Sequence, residues 1–581
     1  MGRRFDPDRA HVTTRGKEAS LSSGQRSMII KKWSLYMSIV ATALIVTPWH
    51  NLDAVNPPKQ LSLVLLTSIA VILQLSNFKK SLRINELRTH ILIVTLVIFW
   101  ILITLITNNY SLGERIFGIY GRHLGVLTFV SLFSLMIAAS VASVARISDL
   151  STTIIFVSLG IAIYYMLQIW NLDPATWSIV YEQSPSSTLG NPNYVSAFLA
   201  IGATLTLGRL FKFRNLNIVQ IIFYFMTTLF LLWVVQRTQS FQGLVIFTAS
   251  VFGFVSFQAF TYWKQNDTAI WKRISILSLS LSFFFVIPLL SASVRDQVFQ
   301  GFLNARLDYW LTGIKITLNN FIFGVGFDAY GDFYSRYKPQ DAQFFSDSAH
   351  NLWIELAVFG GVPLLLFYLI VQAQILTKSI KVILSPEANE FRILFLAWIG
   401  FHIQSLVSPS SLALLTVGFL TSGIIYSESV KIIRSTNERG EISESPISTP
   451  KKSNNIQERS LTGIIVALSL LASFMAFIPL AKDSRFRDAI EVGSGAEMIN
   501  QTNKWPFNSQ IAIITARTLS DNNYKGLSKS LLRKAANQNP ESSQILESLL
   551  NLEENPNTRR ELLAKLKKLD PLSPLFDSST Q

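Results

Sequence analysis

Cysteine is absent from this chain, and charge and histidine are scarce. None of the 581 residues is cysteine, which excludes disulfides, thiolate nucleophiles and cysteine-ligated metals. The six histidines form no His-x-x-x-His or His-Glu pair. We therefore predict that the protein uses no metal and no other cofactor. Only 15% of the residues are charged, against 49% hydrophobic, which is far from the composition of an ordinary soluble domain.

Long apolar runs, separated by short charged clusters, fill most of the chain. The runs are continuous and lack the ten-residue alternation of a membrane β-barrel, so they predict an all-α polytopic membrane protein. Thirteen runs are candidate spans, twelve in a core and one beyond it. They are about 33–49, 59–77, 90–107, 124–143, 152–170, 193–208, 217–236, 242–262, 274–291, 352–374, 391–408, 412–427 and 461–480.

The net charge of +15 has an explanation that does not involve nucleic acid. Lys and Arg gather in alternate loops, as they do on the cytoplasmic side of membrane proteins. This pattern predicts a cytoplasmic N-terminus, an extracytoplasmic C-terminal domain, and no nucleic-acid partner.

The composition divides the chain into five regions. We predict a basic cytoplasmic tail (1–32), a membrane core (33–430) with a large outer loop (292–351), a disordered cytoplasmic linker (431–460), an extra span (461–480) and an extracytoplasmic helical domain (481–581). Apolar residues in that last domain recur at helical spacing, and Asn-Pro or Asp-Pro pairs punctuate it. It resembles a tetratricopeptide-type solenoid that would bind a partner protein, although a plain helical bundle fits as well.

Arginine on the predicted outer face runs against the usual charge distribution. Arg122, Arg237 and Arg306 all lie in predicted outer loops. A guanidinium group suits bidentate recognition of phosphate, although contact with lipid headgroups is the alternative. Asn193, in a Gly-Asn-Pro-Asn turn, is a candidate helix N-cap and a candidate substrate ligand.

His350 and Asn351 stand where the large outer loop becomes the apolar run 352–374. A titratable group at this boundary can meet both a lipid-borne and a water-borne substrate. Its unperturbed pKa lies near operating pH, as a general base requires. The alternative is a polar cap at the start of a membrane helix. Glu355, about one helical turn further, either orients His350 or hydrogen-bonds within the bundle, and we favour the structural role.

Four motifs follow one another along the chain. They are Gly121-Arg122-His123-Leu124-Gly125, Gly190-Asn191-Pro192-Asn193-Tyr194, Arg306 to Trp310 followed by Gly324-Val325-Gly326, and His350-Asn351-Leu352 followed by Phe359-Gly360-Gly361-Val362-Pro363. In this order they resemble the O-antigen ligase family, which includes related polymerases and bacterial protein O-oligosaccharyltransferases. The family pattern also has an Arg where this chain has Phe241, and Arg237 is the candidate substitute.

The resemblance implies a metal-independent, inverting glycan transferase in a bacterial cytoplasmic (inner) membrane. The donor would be a glycan on undecaprenyl pyrophosphate, and the acceptor a hydroxyl of a glycan, lipid or protein. His350 would be the general base, and Arg306, with Arg122 or Arg237, would bind the pyrophosphate. Asn351 would orient His350 or cap the helix. A surface-polysaccharide polymerase, a transporter for a small anion and a non-catalytic assembly factor are the alternatives.

Overall fold

The protein is helical throughout the part of the chain that the structure describes. This computed structural model describes residues 23–143, 145–175, 177, 185–211, 216–266, 268–286, 302–342, 344–385, 388–440 and 455–576. Within these ranges no β-strand occurs, so the all-α prediction is confirmed. Most of the predicted basic tail and the centre of the predicted linker, 441–454, lie outside the described residues.

The helices are numbered in chain order. They are α1 (Ser23–Leu44), α2 (Asn56–Ser81), α3 (Asn85–Thr107), α4 (Leu112–Phe117), α5 (Val126–Ser140), α6 (Ile147–Ile169), α7 (Pro192–Leu210), α8 (Ile218–Arg237), α9 (Phe241–Asn266), α10 (Ala269–Val286), α11 (Phe302–Asn319), α12 (Tyr330–Tyr337), α13 (Leu352–Ile383), α14 (Asn389–Ser405), α15 (Leu412–Gly440), α16 (Asn455–Glu491), α17 (Gly495–Asn503), α18 (Ser509–Asp521), α19 (Lys525–Gln538), α20 (Ser543–Leu550) and α21 (Pro556–Leu569).

Each of the thirteen predicted spans overlaps one of these helices, which confirms a polytopic membrane protein. The last residues of the predicted span 274–291 and the first of the predicted loop 292–351 lie outside the described residues. Among the described residues, eight helices are long and apolar enough to cross a bilayer: α2, α3, α6, α8, α9, α13, α15 and α16. Two others are short, with 15 residues in α5 and 17 in α14. At 1.5 Å per residue such helices fall short of the roughly 30 Å hydrocarbon core. The crossing of all thirteen therefore stays a prediction.

Alternate loops meet at opposite ends of the helix bundle. At one end, the Asn56 Nδ2 donates to the Gly121 carbonyl at 2.7 Å, which joins two predicted outer loops. At the other end, Lys32 pairs with Asp149 at 3.1 Å, both in predicted cytoplasmic segments. The predicted outer and cytoplasmic segments therefore lie at opposite ends of the bundle, as the pattern of loop charge predicts. Which end faces the cytoplasm stays a prediction.

A break in α13 docks the large loop onto the membrane bundle. Gly360 and Gly361 leave helical geometry, and Gly361 has a φ of 72°, which suits glycine. The break frees backbone carbonyls of α13. The Val325 N–H donates to the Val358 carbonyl at 2.8 Å, and the Gly326 N–H to the Phe359 carbonyl at 3.1 Å. The glycine-rich turn is therefore a backbone docking site that fixes α11 and α12 against α13.

The C-terminal region continues from the last span without a break. α16 has 37 residues and passes through the predicted boundary at 480/481. The predicted linker 431–460 is helical at both ends, because α15 extends to Gly440 and α16 begins at Asn455. Five shorter helices, α17 to α21, follow and, with the C-cap Asp570, form the C-terminal helical domain, residues 495–570. Its helical nature is confirmed, and its likeness to tetratricopeptide repeats stays a prediction. Its core includes Leu532, Ala535, Ile545, Leu549 and Leu566.

Candidate functional site

His350 stands directly before α13 in a constrained backbone conformation. Its φ is 52°, in the left-handed region that few non-glycine residues adopt. Asn351 is the N-cap, and its Oδ1 accepts from the Trp353 N–H at 3.0 Å and the Ile354 N–H at 3.2 Å. The structure thus shows the capping role of Asn351. Its assignment as a substrate-binding residue stays a prediction.

Ser348 fixes the orientation of His350. Its Oγ accepts from the His350 N–H at 3.0 Å, and its carbonyl lies 3.2 Å from His350 Nδ1. When Nδ1 carries the proton and donates to this carbonyl, the Nε2 atom carries the lone pair. The ring is half-buried, and Nε2 has no hydrogen-bond partner within the described residues. Nε2 is therefore the nitrogen that can accept a proton from a substrate.

Glu355 acts on His350 through Ser348. The carboxylate is fully buried; one oxygen accepts from Ser348 Oγ at 2.5 Å and the other from Ser410 Oγ at 2.7 Å. Glu355 therefore hydrogen-bonds within the bundle, through Ser410, and also contacts Ser348, the residue that orients His350. Sequence reasoning missed Ser348 and Ser410. Ser348 lies two residues before His350, while Ser410 is distant in sequence and carries no local signal.

Arg122 is the centre of a buried ion cluster. Its Nη2 lies 2.7 Å from Glu355, its Nε 3.2 Å from Asp328 and its Nη1 3.8 Å from Asp347. Nη1 also donates to the Asp347 carbonyl. Burial lowers the pKa of Arg122, but these carboxylates outweigh burial and raise it. Every guanidinium nitrogen has an anionic neighbour, so the charge of Arg122 is used in ion pairs within the protein. Its binding of substrate stays a prediction.

Arg306 and His350 form the centre of the candidate site, with Tyr309 beside them. Arg306 is 4% exposed, and the Tyr309 ring lies 5.0 Å from the His350 ring. Sequence reasoning missed Tyr309, although its spacing of three residues from Arg306 places both on one helical face. Burial lowers the pKa of Arg306 to about 10, which leaves the guanidinium charged at neutral pH.

In the folded protein the pKa of His350 lies well below its unperturbed value. Burial, followed by the positive charge of Arg306, lowers its pKa to about 3. The imidazole is therefore neutral throughout the physiological range. The candidate site thus combines a neutral imidazole with a buried, positively charged guanidinium group.

Arg237 and Asn193 do not join this group. The Arg237 side chain is exposed, with its guanidinium carbon 5.4 Å from the Trp233 ring centroid. The predicted N-cap Asn193 is wrong, because Asn191 caps α7 and its Oδ1 accepts from the Asn193 N–H at 2.8 Å. No described contact links Arg237 or Asn193 with His350. Both remain predictions as substrate-binding residues.

The helix that carries Arg306 presents its opposite face to the surroundings. Leu311, Ile314 and Leu318 are 50%, 47% and 65% exposed. Just beyond α11, the Phe323 ring stacks on Trp100 of the span α3 with a centroid separation of 5.7 Å. The turn after α11 thus packs against the predicted span α3.

The carboxylates near the site are committed to protein contacts. Asp328 Oδ2 accepts from the Ile119 and Leu124 N–H groups at 2.9 Å and 3.1 Å, in addition to the ion pair with Arg122. Among the residues that the structure describes, no group of three or more His, Asp or Glu side chains is arranged to hold a metal ion.

Comparison with known proteins identifies a domain that contains this site. The family model described as O-Antigen ligase, Wzy_C, matches residues 195–369, less than a third of the chain. The match includes Arg237, Arg306 and His350. Arg122 lies before its first residue, and the C-terminal helical domain lies after its last. The chain therefore carries an O-antigen ligase domain, which confirms the family predicted from the motifs. Comparison with curated proteins gives no match.

Proposed function

We propose that this protein transfers an oligo- or polysaccharide from undecaprenyl pyrophosphate to an acceptor hydroxyl at the outer face of the cytoplasmic membrane. The observation that carries the proposal is the pairing of a neutral His350 with the buried Arg306 inside an O-antigen ligase domain. A proton acceptor and a phosphate-binding cation are the two groups that such a transfer needs most.

The reaction is an inverting displacement at the anomeric carbon of the donor glycan. The acceptor hydroxyl gives its proton to His350 Nε2 while its oxygen forms a bond to that carbon. The bond from the carbon to the pyrophosphate oxygen breaks, and undecaprenyl pyrophosphate leaves with the electron pair. Arg306 stabilises the negative charge that develops on the pyrophosphate. Because the guanidinium supplies this stabilisation, the proposed reaction is metal-independent.

Binding of the donor raises the pKa of His350. In the free protein His350 is a weak base, since burial and the positive charge of Arg306 lower its pKa to about 3. A bound pyrophosphate places negative charge beside Arg306 and offsets the field that suppresses protonation. The pKa of His350 then rises toward the value at which a general base is effective. Acceptor activation is thereby coupled to the presence of the donor.

The exposed apolar face of α11 suits a lipid-linked donor. Leu311, Ile314 and Leu318 point away from the site on the same helix that carries Arg306. A helix with one polar, buried face and one apolar, exposed face lies naturally at a membrane interface. In that position the polyprenyl chain contacts the apolar face while the pyrophosphate reaches Arg306.

The direct test is a transfer assay with purified protein reconstituted in phospholipid bilayers. The donor is a labelled glycan on undecaprenyl pyrophosphate, and separate reactions offer a lipid, a peptide and a second donor-linked glycan as acceptor. We expect label on one of these acceptors and release of undecaprenyl pyrophosphate. Label on the donor-linked glycan would identify a polymerase instead of a ligase. Complete retention of the label on the donor with every acceptor would overturn the proposal.

A further inference from the structure

The short helix α12 lies between the candidate site and the C-terminal helical domain. On its outer side, Arg336 pairs with Glu541 at 2.5 Å, and Lys338, directly after the helix, pairs with Asp570 at 3.0 Å. Neighbouring polar groups add two contacts: Asn539 Nδ2 donates to Asp332 Oδ2 at 2.9 Å, and the Ser335 and Ser543 hydroxyl oxygens are 3.2 Å apart. The contacts on this side of α12 therefore come from the C-terminal helical domain.

The inner side of α12 holds the two segments that carry Arg306 and His350. The Tyr330 hydroxyl donates to the Tyr309 carbonyl at 2.7 Å, in the helix of Arg306. The Tyr334 hydroxyl donates to the Phe344 carbonyl at 2.7 Å, in the loop that leads to His350. Its ring also lies 6.0 Å from the Tyr309 ring. α12 therefore fixes the distance between the two catalytic segments.

α12 needs support from both sides because it is short. It has eight residues, and isolated helices of that length are marginal in water. Its tyrosines hold the site only while the helix itself is held. The outer support comes from chain segments that are more than 200 residues away in sequence.

We infer that the C-terminal helical domain positions the catalytic pair, and that glycan transfer requires its docking on α12. The inference rests on the proposed function of His350 and Arg306. Glu541 and Asp570 are positioning residues in this account, since they act on the site through Arg336, Lys338 and the two tyrosines. The domain is thus part of the catalytic unit, in addition to any partner that it recruits.

A charge-reversal series tests this inference in the full-length chain. Arg336→Glu with Lys338→Glu replaces two attractions with two repulsions. We expect the transfer rate at saturating donor to fall about 10- to 100-fold, the cost of an ångström-scale displacement of reacting groups. The donor KM should change little, because Arg306 keeps its charge. Adding Glu541→Arg and Asp570→Lys should restore most of the rate.

Lys565→Glu with Lys568→Glu, on exposed positions of the same domain, is the charge-matched control and should leave the rate unchanged.

A covalent link gives an independent readout. The chain has no cysteine, so Ser335→Cys with Ser543→Cys creates a single cross-link at two buried positions. Placed in the Arg336→Glu, Lys338→Glu protein, the oxidised pair should recover transfer and dithiothreitol should abolish the recovery. A merely destabilised protein would not regain its rate reversibly in this way.

The outcomes separate the two claims. An inactive wild-type protein would count against the proposed function. An active wild-type protein with an equally active charge-reversed variant would overturn the positioning role, whether or not the domain stays docked. Failure of the cross-linked protein to recover its rate would overturn it as well.

Discussion

In the proposed mechanism, His350 is too weak a base in the free protein, and Arg306 is a cation that is costly to bury. Sequence reasoning identified His350 and Arg306 from their motifs and outer location. It did not predict the pKa of His350, because burial and the distance to Arg306 depend on how α11 packs against the loop before α13. The same packing brings in Tyr309 and Ser348, which no spacing rule connected to His350.

Replacing Arg306 tests the proposed stabilisation of the pyrophosphate by its guanidinium group. In Arg306→Ala we expect kcat/KM for the lipid-linked donor to fall at least about 100-fold, since loss of one transition-state donor typically costs that much. Lys315→Ala removes an exposed cation from the same helix and should change the rate less than about twofold. Steady-state kinetics in bilayers measures both. Equal rates for the two variants would remove Arg306 from the mechanism.

Arg122 is expected to act through stability. Arg122→Ala leaves the buried carboxylates of Glu355 and Asp328 uncompensated, which should destabilise the fold by about 3–5 kcal/mol. Denaturant or thermal unfolding in detergent measures this loss. Arg434→Ala, at an exposed position, is the control. Wild-type stability combined with a large loss of donor affinity would instead make Arg122 a substrate ligand, as the sequence suggested.

At the scale of elements, α11 is the organising piece of the site. Gly313 is buried, like Arg306, while Ile314 on the next position of the helix is 47% exposed. The break in α13 could not be predicted from Gly-Gly alone, because its carbonyls find their partners in a turn more than 30 residues away.

A charge on the apolar face of α11 tests contact with lipid. In Ile314→Glu the KM for undecaprenyl-linked donor should rise about tenfold, because a carboxylate is costly in an apolar environment. A donor with a short, water-soluble prenyl chain should be used as well as by the wild type. Leu527→Glu, at an exposed position of the C-terminal helical domain, is the control. An equal loss with both donors would argue against a lipid-binding face.

For the whole molecule, periodicity and apolar runs were enough to place the thirteen apolar helices and a helical tail. They were not enough to show that the tail packs on the predicted outer loops. Glu541 and Asp570 pair with residues more than 200 positions earlier, and no local pattern encodes such pairs. The Arg122 cluster was missed for the same reason, since its three carboxylates lie more than 200 positions after Arg122 in the chain.

Docking of the C-terminal helical domain should depend on pH through Glu114. Glu114 accepts from the Ser509 N–H at 2.6 Å, and burial, with Asp332 nearby, raises its pKa from 4.5 to about 8. The docked state therefore keeps a proton that the undocked state loses above about pH 4.5. Docking should weaken as pH rises from about 4.5 to about 8 and then level off. Asp332, whose pKa burial raises to about 6, acts in the same direction.

The cross-linking rate of the Ser335→Cys, Ser543→Cys pair, corrected for thiol ionisation with a model thiol, measures this dependence. Glu114→Gln keeps an oxygen for the Ser509 N–H and removes the titrating group. We expect its docking to vary less with pH and to exceed that of the wild type at pH 8. Identical profiles for the two proteins would contradict the role of Glu114.

The most direct test of the central claim is glycan transfer by His350→Ala. The reconstituted variant should bind lipid-linked donor but lose nearly all transfer, by at least about 100-fold, because it lacks the general base. His50→Ala, at an exposed position of another predicted outer loop, should transfer at the wild-type rate. Transfer by His350→Ala at the rate of His50→Ala would contradict the assignment of His350 as the base.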